Sequence, residues 1–310
     1  MTPDSVWLAP AQRWTTRAGF GCAGLMGALS RRESLALLET AWDAGARHFD
    51  VAPVYGHGEA EYVLGTFLRG RRDQVTLVTK YGLEPTGNST ALRIARAVAR
   101  PFARQLRALR PAGKHGAAFA PSAAVPLTAA GAQRSLERSL RALQTEYVDA
   151  FLLHEPTVAR LTDDGLHGFL EQAVQRGLIR SFGIGGDRRH VSEVFASHQR
   201  YCPMVQCEWS VFVAEPPLFP GSQLSVFGVL SELRREADVA GFGIESGADA
   251  ARLALRAAAL ALPGSLILFS SRNRAHVGSS FTAVSDTTLD SAALQLLALV
   301  RERHGKATIS

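Results

Sequence analysis

Val148-Asp149-Ala150-Phe151-Leu152-Leu153-His154 reads as a strand that is apolar through both faces and closes on an imidazole. A strand with one wet face would alternate apolar and polar residues, so continuous apolar character implies cover on both sides. Working outward from it, runs of the same kind recur along the chain. Ala18–Ala23, His48–Val51 and Val75–Lys80 precede it; Ser181–Gly185, Met204–Trp209, Leu224–Gly228 and Ser265–Ser270 follow. Helical patterns separate them, over Ser30–Ala44, Glu59–Leu68, Ala132–Leu143, Leu166–Gln175, Val191–His198, Ala248–Leu262 and Ser291–Arg303. The first opens with Ser30 and Glu33 in capping-box spacing, repeats Leu35, Leu38, Ala41 and Trp42 on one face, and stops at Gly45.

Eight such strands with intervening helices make the pattern of a (β/α)8 TIM barrel, here a single α/β domain over 1–310. A doubly wound sheet is the competing arrangement. Its glycine fingerprint is matched by letters at Gly19-Phe20-Gly21-Cys22-Ala23-Gly24. The chain then continues as Leu25-Met26-Gly27 and does not enter a helix at once, so the match is discounted.

The segment Pro85–Pro126 interrupts the rhythm after the third strand. It carries Arg93, Arg96, Arg100, Arg104, Arg107, Arg110 and Lys114 and no acid, so the net charge of +6 is concentrated there. We read it as an insertion at the barrel mouth, serving as a substrate lid, as a basic surface for a membrane or anionic ligand, or as a solvated excursion. With the basicity confined to one segment, nucleic acid is not an expected partner.

Cys22, Cys202 and Cys207 lack metal-like spacing and are odd in number, which favours buried free thiols. Cys22 and Cys207 fall inside expected strands. No run is long and apolar enough to span a bilayer, and Met1–Arg17 does not read as a signal peptide. A cytoplasmic location is the expectation, and nothing in the sequence indicates an oligomeric state.

In a parallel barrel the carboxyl ends of the strands converge on one mouth, where active sites sit. Asp50, Lys80 and His154 close three of the strands, and Tyr55 stands in the loop Val51-Ala52-Pro53-Val54-Tyr55-Gly56 after one of them. Taken singly, each has a structural reading: a rim ion pair, a loop aromatic, a hydrogen-bonded wall histidine. Together a phenol, an ammonium, a carboxylate and an imidazole form a proton-transfer site. A tyrosine with a pKa of about 10 is a poor donor near neutrality. An adjacent Lys80 ammonium is expected to lower that value, with Asp50 holding the lysine charged and His154 orienting a carbonyl oxygen. A metal-dependent barrel hydrolase would need converging ligands; only Asp50, His154 and Glu208 approach that, and Lys80 beside them would repel a cation.

Asp50 with Tyr55 five residues on, Lys80 at a strand end, and His154 within Leu152-Leu153-His154-Glu155-Pro156 resemble the aldo-keto reductase superfamily. So do Ala41–Asp50, Gly56-His57-Gly58-Glu59, Leu136–Asp149, Gly177–Ile184 and Val205-Gln206-Cys207-Glu208, in that order along nearly the whole chain outside the insertion. The resemblance implies an NAD(P)H-dependent oxidoreductase that reduces an aldehyde or ketone, or oxidises the corresponding alcohol or sugar hydroxyl, with Tyr55 as general acid.

It further implies that Gln206 holds the nicotinamide carboxamide and that Phe227 stacks on the ring, with Gly21, Gly185 and Gly186 in the same cofactor set. Gly185-Gly186 stand where relatives carry Ser-Asn, so those side-chain contacts are missing; Asp187, backbone or water would have to substitute. Ser270, Ser271, Arg272, Arg274 and His276 fall in the stretch that holds the 2′-phosphate in NADPH-preferring relatives. Arg272 or Arg274 suits a phosphate, so NADP is the expected cofactor with NAD possible. The glycine pair and the stretch Phe182–Gly186 are similar to aldose-dehydrogenase-like branches, a pointer to a hydroxylated small-molecule substrate. A cofactor-binding regulatory or biosynthetic accessory protein with the same barrel is the alternative, because fold alone does not specify function.

Overall fold

A computed structural model describes residues 5–27, 29–86, 122–212, 215–231, 233 and 247–307. A closed barrel of parallel strands runs in the order β3 (Ala18–Gly21), β4 (His48–Asp50), β5 (Thr76–Tyr81), β8 (Val148–His154), β9 (Ile179–Gly186), β10 (Met204–Glu208), β11 (Gln223–Phe227) and β12 (Leu266–Phe269), with β12 returning to pair with β3. All eight expected strands are present, shifted by a residue or two at their ends. The largest departures are β9, which starts two residues earlier than its apolar run, and β3, which ends before Cys22. That cysteine lies in the short 3-10 turn Cys22–Gly24, not in a strand. All three cysteines are buried and free.

Register fixes which residues share the barrel interior. Val78 pairs with Asp50 and Ala150, Leu152 with Lys80 and Gly183, and Gln206 with Gly185 and Ser225. Directly paired residues in a sheet share a face, and the period of two extends that face along each strand. Asp50, Lys80, His154, Gln206 and Phe227 therefore all carry the inward register, as do the glycines Gly21 and Gly185. Below them Val78, Ala150, Leu152 and Met204 form a small buried cluster. The main apolar core lies in the outer layer between strands and helices.

That layer comprises α1 (Arg31–Asp43), α2 (Ala60–Phe67), α3 (Ala129–Leu143), α4 (Gly165–Gln175), α5 (Arg188–Ser197), α6 (Ala248–Ala261), α7 (Arg274–Ala283) and α8 (Asp290–Ala307). The capping box of α1 forms as expected: Ser30 N–H donates to Glu33 Oε2 at 2.7 Å, and Glu33 N–H donates to Ser30 Oγ at 3.3 Å. Gly45, at φ +99°, turns the chain out of it. The sequence pattern missed α7. Asn273 caps it, accepting from Ala275 N–H at 3.0 Å, and Val277 and Phe281 one turn apart bury its inner face. No helix among the described residues is long and apolar enough to cross a membrane.

The hairpin β1 (Ser5–Leu8) and β2 (Arg13–Thr16) was also not expected. Val6, Leu8 and Ala11 bury against Leu266 at the amino end of β12, so the hairpin plugs the barrel floor. Thr15 Oγ1 lies 2.7 Å from Thr76 Oγ1, which in turn meets His48 Nδ1 at 2.7 Å.

At the other end, the short strands β6 (Leu83–Pro85) and β7 (Ser122–Ala124) pair antiparallel and bring the two ends of the expected insertion together. Residues 87–121, which hold the basic stretch and the lid or basic surface proposed for it, lie outside the described residues.

One buried acid in this layer yields a test. Glu61 on α2 is 4% exposed and accepts from Thr79 Oγ1 on β5 at 2.7 Å. Burial pushes its pKa up, only partly offset by the Thr79 hydrogen bond. A raised folded-state pKa means stability is complete below the unfolded carboxyl value, about 4.3, and is lost as pH rises through the folded value. Glu61→Gln should therefore melt above wild type, by a margin that widens from pH 4 to pH 8; parallel melting curves across that range would contradict it.

Candidate active site

The site is assembled from the carboxyl ends of adjacent strands. Asp50 is the last residue of β4, Lys80 the penultimate residue of β5 and His154 the last of β8. Tyr55 opens the 3-10 turn Tyr55–Gly58 directly after β4, its N–H donating to Ala52 O at 3.0 Å. Gly56, at φ +58°, is required there: a Cβ on it would stand 2.5 Å from Leu25 O. That close approach locks the tyrosine turn against the loop after β3.

Lys80 Nζ donates to Asp50 Oδ1 at 2.5 Å and to the Tyr55 hydroxyl at 3.0 Å, and it lies 5.0 Å from the centre of the Tyr55 ring. The Asp50 carboxylate is held from its other side as well, by Gln206 Nε2 at 2.8 Å. A carboxylate only accepts, so this contact orients the Gln206 amide with its nitrogen toward Asp50. The His154 ring stands almost perpendicular to that of Tyr55, with centroids 6.1 Å apart. All four side chains are at most 8% exposed.

Burial governs the electrostatics. It alone would pull the Lys80 ammonium down, yet Asp50 and then Tyr55 outweigh it, and the lysine is held above its ordinary value. His154 is driven well below its usual 6.5 by burial first, then by the Lys80 and Arg160 cations, so its imidazole is neutral at physiological pH. The Tyr55 phenol departs from expectation. Burial pushes its pKa up, and the opposing pull of Lys80 does not bring it below 10. A sequence shows the cation but not the desolvation, which is the larger effect here. In this state the phenol is a firmly protonated donor, with an ammonium 3.0 Å away to stabilise phenolate once the proton leaves.

The remaining candidates separate into those the fold brings to this centre and those it does not. Gln206 is in direct contact with Asp50, and Gly185 lies against it: a Cβ there would be 3.4 Å from Gln206 Oε1. Half-buried Phe227 ends β11 in the inward register, and Gly21 pairs with Asp50. Gly186 lies against the residue that follows β8: a Cβ there would stand 2.6 Å from Glu155 Oε2 and 3.0 Å from its Cα. The Asp187 side chain caps α5, accepting from Arg189 N–H at 2.9 Å through Oδ1.

Past β12, Ser270 stands near Gly21, its Cβ 3.6 Å from where a Cβ on that glycine would lie. Ser271 Oγ accepts from Asn273 N–H at 3.1 Å, and His276 Nε2 is 3.2 Å from Asn273 Nδ2, so both shape the start of α7. Arg274 donates to Thr40 on α1 at 2.8 Å. Arg272 is exposed, with its stem 3.3 Å from a Cβ built on Gly24.

Two residues near the site escaped the sequence reading, Glu155 and Arg160. Glu155 takes a left-handed backbone at φ +49° immediately after His154 and accepts from Asp187 N–H through Oε2 at 3.0 Å. Neither has a local signal that would separate it from any loop charge.

The family model described as Aldo/keto reductase family matches residues 17–224. The chain is 32% identical to pyridoxal 4-dehydrogenase of Microbacterium luteolum over 186 residues, covering 55% of this chain and 52% of that protein. It is 48% identical to D-threo-aldose 1-dehydrogenase of a Pseudomonas species over 68 residues, 21% of each chain. The chain thus spans about half the length of the first of these relatives and about a fifth of the second. Among solved structures, the holo form of an aldo-keto reductase from Bacillus halodurans superposes with a TM-score of 0.73 at 21% identity, covering 96% of both chains. One from Klebsiella pneumoniae in complex with NADPH gives 0.67 at 22% identity, covering 97% of this chain and 96% of that one. With the family match extending over more than half of its length and the barrel in agreement, this chain belongs to the aldo/keto reductase family.

Proposed function

We propose that the protein is an NADP-dependent oxidoreductase that interconverts an aldehyde or ketone with the corresponding alcohol, and that Tyr55 is its general acid. The observation that carries this reading is one ammonium, Lys80, in contact with both a buried carboxylate and a buried phenol. When bound, the nicotinamide supplies or accepts the hydride. Everything else falls to side chains of this chain. Tyr55 holds a proton at its hydroxyl until negative charge builds on the substrate oxygen, then releases it. Lys80 stabilises the phenolate left behind, and Asp50, gripped by Lys80 and Gln206, keeps the ammonium charged and in place. His154 is neutral and its Nδ1 is buried with no hydrogen-bond partner among the described residues. A polar atom left this way costs about 1–3 kcal/mol, and a polar group on the substrate would relieve that cost.

The residues fit a nicotinamide dinucleotide. The Gln206 amide nitrogen is anchored on Asp50, leaving Oε1 toward Gly185 to accept from a carboxamide. Phe227 offers a half-buried ring on the same inner face. For the 2′-phosphate, Arg272 is the favoured partner, since Arg274 is engaged with Thr40. The nearby amino end of α7 adds a favourable dipole. A hydroxylated substrate is supported by the similarity to an aldose dehydrogenase. The accessory-protein alternative gains nothing from a site whose four groups are in contact.

Fluorescence titration with NADPH and NADH, followed by a panel of aldehydes, ketones and aldoses, tests the reading. Arg272→Ala should weaken NADPH binding roughly tenfold, on the order of one exposed charge-assisted contact, and leave NADH binding unchanged. Equal loss for both cofactors would mean the phosphate is held elsewhere. Tight NADPH binding with no turnover on any substrate of the panel would overturn the enzymatic reading.

A further inference from the structure

Three backbone carbonyls around the site converge on a single guanidinium. Arg160 ends the 3-10 turn Val158–Arg160 that follows β8. Its Nη1 donates to Glu155 O at 2.5 Å, and its Nη2 donates to Gly82 O at 2.6 Å and to Val125 O at 2.5 Å. Glu155 is the residue after His154, Gly82 lies two residues beyond Lys80, and Val125 leads from β7 toward α3. These backbones are in contact: a Cβ on Gly82, at φ +136°, would stand 2.4 Å from His154 O and 3.2 Å from His154 N. Carbonyl dipoles aimed at a common point repel, and a planar fork of donors converts that repulsion into attraction.

Among the described residues the His154 ring has no hydrogen-bond partner at Nδ1. The ring packs edge-on against Tyr55, and its place at the barrel rim follows from the backbone that carries it. That backbone leaves the strand through a left-handed residue, Glu155, whose N–H donates to Gly185 O at 2.7 Å and whose carbonyl is the one Arg160 holds.

We propose that Arg160 is a positioning residue for His154, tying the exits of β5 and β8 and the start of α3's approach into one clamp that fixes where the imidazole meets the substrate oxygen. The inference rests on the reading of Tyr55 and His154 given above. Its cation also acts on the ring through space. The charged and titratable groups around His154 are Lys80 from β5 with Asp50 behind it, Tyr55 from the turn after β4, Glu155 next in the chain, and Arg160. Of these, Lys80 and Arg160 join burial in keeping the imidazole neutral.

Steady-state kinetics of Arg160→Met and Arg160→Lys test the clamp, with NADPH titration confirming that each variant is folded. Both should lose turnover by roughly ten- to a hundredfold, the cost of a small misplacement of a reacting group, while binding NADPH as wild type does. The pH profiles should separate charge from geometry. Arg160→Met removes a cation, so the acidic limb belonging to His154 should move to higher pH; Arg160→Lys keeps the charge and should leave it in place. Turnover and acidic limb in Arg160→Met both within about twofold of wild type would overturn the proposal if His154→Gln is impaired. Should His154→Gln and Tyr55→Phe themselves turn over normally, it is the underlying proton-transfer reading that falls.

Discussion

Tyr55→Phe should lose carbonyl reduction by roughly 10²–10⁴-fold, the range that a positioned general acid supplies, while binding NADPH with wild-type affinity. The substitution removes one oxygen from a ring that is 8% exposed and leaves the Lys80–Asp50 pair, 2.5 Å apart, to hold the lysine charged. The fold should therefore survive and the loss fall on kcat. The loss belongs to the transition state because the phenol's proton becomes useful only as charge develops on the substrate oxygen. Burial holds that proton firmly in the resting site, and Lys80 favours the phenolate, so the lysine contributes most at the moment of transfer. Single-turnover kinetics with bound NADPH would isolate the step. A Tyr55→Phe enzyme whose single-turnover rate matches wild type would remove the tyrosine from the chemistry.

The second large effect concerns stability and the opposite end of the barrel. Asp149, on the amino-terminal part of β8, is 1% exposed and faces three guanidiniums: Arg72 at 2.8 Å, Arg180 at 3.3 Å and Arg13 at 3.8 Å. Its Oδ2 also accepts from Leu77 N–H at 2.9 Å, joining β8 to β5 beneath the site. Arg72 and Arg180 in addition lie 4.0 and 4.8 Å from the centre of the Tyr147 ring. Asp149→Asn keeps the volume and removes the carboxylate that these three cations share. Removing one partner of a buried ion pair costs about 3–5 kcal/mol. The Arg180 side chain is 40% exposed and partly screened, so roughly 2–4 kcal/mol is expected here. Chemical denaturation should show a lower midpoint with an unchanged slope. A midpoint shift worth less than about 0.5 kcal/mol would mean that the guanidiniums are satisfied by solvent and by their other partners, Tyr147, Thr145, Val75 and Asp73. Because Asp149 lies beneath the catalytic layer, kcat of the folded variant should stay near wild type.

The sequence by itself determined the barrel. Eight short runs apolar through both faces, punctuated by capped amphipathic helices, are signals written within a few residues, and local periodicity suffices to read them. It also determined which residues reach the mouth, since the end of a strand is local information and Asp50, Lys80 and His154 each close an apolar run; their shared inward face came from the strand pairing. Features without a periodic signature were not readable. The floor hairpin depends on Leu8 meeting Leu266, far apart in the chain. The start of α7 was obscured because the stretch from Ser270 to His276 reads as phosphate contacts and not as the cap that Asn273 supplies.

Tertiary structure alone decided what the site residues experience. Gln206 braces Asp50 through its amide nitrogen, Asp187 caps a helix, and Arg274 donates to Thr40, contacts that no local pattern announces. The sign of the Tyr55 shift turned on desolvation, which comes from every atom packed around the ring and from no single neighbour in the sequence. The three acceptors of Arg160 are backbone carbonyls, a group that every residue carries. Which of them converge on one side chain depends only on how the strands are brought together in space.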